Sequence, residues 1–287
     1  MFIINAIRSF ARTNPLTVAL GLQGIVLSVF GYSLLTNGPI DVTTSTGQVD
    51  ITYVLGSLKI EAIAAILMLA IIALLGWGAQ TRLTTRTDHH GIRWAIATLG
   101  LPVVLTFFIG AIIVIGGDDA GQNMILLKLL VFCITVGVFE ETLYRGTLYH
   151  GLSRHLSPFW ALMVSSALFG LFHMQNIMVG QDIAATMFQS FNAFALGIVF
   201  GAIMLQTNSI WWAIGLHTVW NAFLFFSAYV AQVQPQLVNL KPEDLAENQR
   251  DAAISLSAFG LPLFLAGLGM LIFFRWAKRM RAADAMA

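Results

Sequence analysis

Residues 125–149 read ILLKLLVFCITVGVFEETLYRGTLY. The first fifteen positions are apolar except for Lys128 and Thr135, whereas the last ten hold Glu140, Glu141 and Arg145. At about 1.5 Å of rise per helical residue, such a run crosses a hydrocarbon core roughly 30 Å thick. One segment is therefore both a membrane span and the carrier of two acids and a base. Ionisable groups at the centre of a bilayer cost roughly 2.5–3.5 kcal/mol each on insertion scales, so they call for partners or for chemistry.

Working outward, seven more apolar segments run roughly over Leu16–Leu35, Ile60–Trp77, Trp94–Ile115, Pro158–Met178, Ile183–Leu205, Trp211–Tyr229 and Leu256–Trp276. The expected fold is all-α: a polytopic integral membrane protein of about eight transmembrane helices, forming one domain over residues 1–287. Composition agrees. Hydrophobic residues make up 57% of the chain and charged residues only 10%, against roughly 25% charged in soluble domains. Cys133 is the only cysteine, which excludes an internal disulfide framework or a cysteine-ligated metal centre. Arg8 and Arg12 ahead of Leu16–Leu35 imitate a secretory signal, yet no small-residue cleavage site follows. That segment reads as a retained first helix. Ser157-Pro158 is a strong helix start, with serine at the cap and proline at the first helical position. The sizeable extramembrane piece is the polar stretch 232–255, and the helices bearing the unusual polar residues span 125–229.

Lysine and arginine asymmetry sets the expected orientation. With the N-terminus cytoplasmic, the inner side receives Arg8, Arg12, Arg82, Arg86, Arg93, Arg145, Arg154, Arg275, Lys278, Arg279 and Arg281. The outer side keeps Lys59, Lys128, Lys241 and Arg250, eleven against four. Both termini are then cytoplasmic. The cluster 275–281 reads as an anchor at an anionic lipid surface, and no nucleic-acid partner is expected. Trp77, Trp94, Trp211, Trp212 and Trp276 read as interfacial anchors, and His89, His90, His150 and His155 as solvated residues near loops.

Within the spans, the polar groups concentrate on three helices: Glu140, Glu141 and Arg145, then His173, then His217 with Asn221. Glu61 reads as an edge residue, beside Lys59 at the start of its segment. Glu141 and Arg145 are spaced i, i+4 with the acid first, the favourable order for an ion pair, so both are expected to be structural. Adjacent helical positions point about 100° apart, which leaves Glu140 facing elsewhere as a candidate general base. His217 and Asn221 share one helix face. Gly197 and Gly201 form a small-xxx-small pair suited to close helix packing. His173 lies about 22 Å from Pro158 along the helix, deeper than the other two groups.

The series Glu140-Glu141-x-x-x-Arg145, Phe169-x-x-x-His173 and His217-x-x-x-Asn221 resembles the motifs of the CAAX prenyl endopeptidases and their bacterial relatives, the CPBP or Abi superfamily. The resemblance runs from about Glu140 to Asn221. It implies an intramembrane endopeptidase of a bacterial inner membrane, acting on a membrane-associated peptide, a lipidated protein or a prenylated CaaX-type tail. In that family pattern Glu140 and His173 would activate water. His217 and Asn221 would polarise the carbonyl and hold the oxyanion, while Glu141 and Arg145 would order the site. The family has been described both as metal-dependent and as metal-free. Glu140, His173 and His217 are a candidate Zn²⁺ set, but the HExxH pattern is absent and the metal-free reading is preferred. Three other classes compete. A proton-coupled transporter would also use buried Glu and His, but no repeated halves are evident. A haem or quinone protein would use His173 and His217, as axial ligands in the haem case. A scaffold or immunity protein would keep the fold without catalysis.

Overall fold

The computed structural model describes residues 2–37, 51–116, 120–233 and 260–285. The polar stretch 232–255 therefore lies almost wholly outside the described residues. Among the described residues there are ten α-helices: α1 (Phe2–Thr13), α2 (Pro15–Asn37), α3 (Ile51–Leu75), α4 (His89–Gly116), α5 (Ala120–Glu141), α6 (Tyr149–Ser153), α7 (Pro158–Phe172), α8 (Ile183–Thr207), α9 (Ile210–Val233) and α10 (Leu261–Asp284). A π-helical stretch, Thr142–Leu148, joins α5 to α6, and a 3₁₀ stretch, His173–Val179, extends α7. Among the described residues there is no strand. Among the described residues eight stretches are long and apolar enough to cross a membrane. The chain is an all-α polytopic integral membrane protein.

Local chemistry sets several of the helix ends. Ser157 is extended, and its hydroxyl accepts from the Trp160 amide ahead of Pro158, as the sequence predicts. Asp182 caps α8 in the same way, accepting from the Ala185 amide at 2.9 Å. The 3₁₀ stretch stops at Gly180, whose φ of 89° suits glycine.

α8 is the centre of the bundle. From Ala195 to Thr207 every residue is buried, and α7, α9, α4 and α10 surround it. Gly197 and Gly201 make the α7 contact possible. A Cβ on Gly201 would collide with the Leu162 side chain, and one on Gly197 would stand 2.9 Å from the Ser166 Cβ. The small-xxx-small reading holds.

One end of the bundle gathers both ends of the chain. Arg8 of α1 donates to the carbonyls of Leu74 and Ala73 at the end of α3, the second of which also accepts from the Gly76 amide. Arg279 of α10 pairs with Asp88 at 2.9 Å and also donates to the Gln206 carbonyl at the end of α8.

Five expectations are corrected. The segment read as Ile60–Trp77 begins at Ile51. Thr52, Tyr53, Ser57 and Lys59 dilute its hydropathy without breaking the helix, and Ser57 returns its hydroxyl to the Val54 carbonyl. Glu61 is thus deep in the span rather than at its edge. Residues 2–13, read only as a charged flank, form a separate amphipathic helix whose Phe2, Ile3 and Phe10 are exposed. Trp77 is not an interfacial anchor either. It is 1% exposed and meets His150 edge to face at 5.0 Å, so that histidine is not a solvated loop residue.

Candidate functional site

The polar motif begins where α5 gives way to the π-helical stretch. Such stretches insert a residue into the helical register and recur at functional sites. Every residue from Thr142 to Leu148 is buried. Thr142 and Thr147 return their hydroxyls to the Val138 and Leu143 carbonyls, at 2.7 Å each. No feature of the residue pattern announced this widening.

Glu141 and Arg145 form the expected pair. Arg145 Nη1 donates to Glu141 Oε1 at 3.0 Å, and both side chains are fully enclosed. The guanidinium lies 4.1 Å from the Phe169 ring centroid and 5.6 Å from that of Phe200. Aromatic faces attract a desolvated cation, which helps to offset its burial. Gly197 provides the room, since a Cβ there would fall 2.7 Å from Arg145 Nη2. Gly197 therefore serves the ion pair as well as the helix contact, a role its spacing did not reveal.

His217 ties this pair to Glu140. Its Nδ1–H donates to Glu141 Oε1 at 2.9 Å, and its Nε2 lies 3.5 Å from Glu140 Oε2. The ring is stacked on Phe200 at 5.0 Å and 22°. Arg145, Glu141, His217 and Glu140 thus form a continuous chain of polar contacts. The sequence reading joined Glu141 only to Arg145 and left Glu140 unpaired on its own helix. The π stretch and α9 bring both carboxylates to one imidazole. The two acids differ in access, with the Glu140 side chain 12% exposed and that of Glu141 0%.

His173 ends α7. Its Nδ1–H donates to the Phe169 carbonyl at 2.9 Å, which leaves Nε2 as the free ring nitrogen. That bond turns the imidazole back toward the preceding turn, and side chains on a helix already lean toward its N-terminus. The depth mismatch expected from residue counting is eased in this way. Phe169 is the shared wall: the ring of His173 lies 5.0 Å from it and that of His217 lies 5.9 Å from it. Asn221 sits one turn beyond His217, half-buried, and among the described residues its amide has no hydrogen-bond partner. Tyr144 makes no hydrogen bond to Glu140; its ring packs on Phe169 and Phe172.

A zinc site requires three or four side chains converging on one point. Among the described residues no three His, Cys, Asp or Glu side chains are gathered to hold a metal ion. The Phe169 ring lies against both imidazoles, and both nitrogens of His217 face carboxylates. No step below passes through a metal.

Fold and cluster together define a helical membrane protein with a polar site enclosed among its spans. Residues 122–223 match the family model described as type II CAAX prenyl endopeptidase Rce1-like, a family of peptidases consistent with the CPBP/Abi type. The match covers α5 through the first half of α9, which includes every residue of the polar motif. No curated protein and no solved structure is detectably similar to the chain.

Proposed function

We propose that the protein is an intramembrane endopeptidase that hydrolyses a peptide bond with water activated by Glu140. The observation that carries this reading is the division of labour around His217, with one carboxylate locked into an ion pair and the other left partly open. Glu141 is neutralised by Arg145 and can only hold the imidazole in place. Glu140 keeps one oxygen toward His217 and the other free to accept a proton from water.

The steps follow from these groups. Water gives a proton to Glu140 as its oxygen bonds to the scissile carbonyl carbon, and the carbonyl π pair moves onto the carbonyl oxygen. His173 Nε2 is the second acceptor available to orient that water. Asn221, with an uncommitted amide, donates to the oxyanion. Collapse breaks the C–N bond, and the proton held by Glu140 passes to the departing nitrogen. The resemblance assigns His217 to the carbonyl as well. Its two contacts favour a different role, fixing the orientation of Glu140. The end bearing the basic residues and both chain ends is taken as cytoplasmic, and the substrate as an extended peptide of a membrane-associated or lipidated protein.

The test is cleavage of a library of lipid-anchored peptides by purified protein in bilayer discs, with products read by mass spectrometry. Wild type is expected to cleave. Glu140→Ala and His173→Ala are expected to lose about 100-fold or more, the usual reach of general acid–base groups. A chelator is expected to leave the wild-type rate unchanged. Undiminished cleavage by Glu140→Ala would remove that residue from the chemistry, and chelator inhibition reversed by zinc would overturn the metal-free step.

A further inference from the structure

The extension of α3 to Ile51 relocates one charged residue that the mechanism does not use. Glu61 lies ten residues into a 25-residue helix, or about 15 Å from its start. It is half-buried, and among the described residues it makes neither a hydrogen bond nor an ion pair. Lys59 gives no relief: it is exposed and, two positions away, points to the far side of the helix.

The packing register shows what Glu61 faces. α3 runs alongside α5 in the same direction. Its first turns, at Ile51 and Val54, share a core cluster with Leu126, Leu129 and Cys133. Its later turns, at Ala65 and Met68, share another with Leu143, Tyr144 and Leu148. Glu61 falls between these levels, as Glu140 does on the neighbouring helix. α3 also touches the π-helical stretch Thr142–Leu148, which begins two residues after Glu140. Around Glu140 are thus Glu141 and Arg145 from its own span, His217 from α9, and Glu61 from α3. Of these, Glu61 alone has no function in the scheme above. A carboxyl kept deep in a span without a partner costs stability, which is a reason to look for a role.

We propose that Glu61 is a positioning residue of the Glu140 site: a second carboxyl, on the α3 wall, that holds the attacking water against the free oxygen of Glu140. Such a water donates one hydrogen to Glu140 and shares the other between Glu61 and His173 Nε2, which turns its lone pair toward the carbonyl carbon. Glu140 takes its proton as the C–O bond forms. Glu61 keeps its hydrogen bond and transfers nothing. This role rests on the hydrolase reading, whereas the proximity it requires does not.

Two measurements test it. In a Cys133→Ala background, Glu61→Cys with Glu140→Cys should be joined by a short bifunctional thiol reagent, and Glu61→Cys with Leu101→Cys should not. In cleavage assays Glu61→Ala should lower kcat about tenfold to hundredfold with KM within about twofold, and Glu61→Gln, which keeps an acceptor oxygen, should recover most of that loss. Failure of the Glu61–Glu140 cross-link overturns the placement. Unchanged kcat in Glu61→Ala, or equal losses in both variants with a lowered unfolding midpoint, overturns the role. Cross-linking without any wild-type cleavage would instead sink the hydrolase reading on which the role depends.

Discussion

Glu140 and Glu141 are consecutive in the chain and meet the same imidazole, yet they occupy different surroundings. Glu141 is sealed at 0% exposure between Arg145 and His217, whereas Glu140 is open at 12% and touches only one of them. A buried charge with a committed partner is held by geometry and has little freedom to react. A neighbouring charge with one free oxygen can exchange protons with water. Burial and partnership divide a structural carboxylate from a chemical one, and residue type does not.

The contrast can be broken in steps. The largest effect is expected for Glu140→Gln, which should lower cleavage about 100-fold or more while the unfolding midpoint stays near that of wild type. Next is Arg145→Ala. It leaves Glu141 enclosed without its cation, and should destabilise by about 3–5 kcal/mol, read by thermal or denaturant unfolding in detergent. Gly197→Ala acts on the same pair by crowding, because its methyl would stand 2.7 Å from Arg145 Nη2. A loss of about 1–3 kcal/mol is expected there. Asp88→Asn should be smallest. It breaks the ion pair with Arg279, where both side chains are 32% exposed, and pairs of that kind contribute less than about 1 kcal/mol. If Asp88→Asn proved as damaging as Arg145→Ala, burial would not be the deciding variable.

Much of this was legible in the sequence because membrane spans and helix caps are local. Apolar runs located eight spans, and Ser157-Pro158 marked the start of α7. The i, i+4 spacing of Glu141 and Arg145 described their pair. What was missed depends on long-range packing. The start of α3 was hidden by four polar residues that a continuing helix tolerates. The meeting of both carboxylates with His217 needs the register of α9 against α5, which no single-segment pattern encodes. The second task of Gly197 appears only when a guanidinium from another helix is found beside it. The amphipathic α1 was overlooked because its basic residues were weighed as a topology signal and its apolar face was not.

The most direct measurement is a paired one: cleavage of a lipid-anchored peptide and unfolding midpoint, on the same preparations of wild type, Glu140→Gln and Glu141→Gln. The account predicts that Glu140→Gln stays folded like wild type and is nearly inert, while Glu141→Gln loses stability as well as activity. Wild-type cleavage by Glu140→Gln, or a Glu141→Gln protein as stable as wild type, would contradict it.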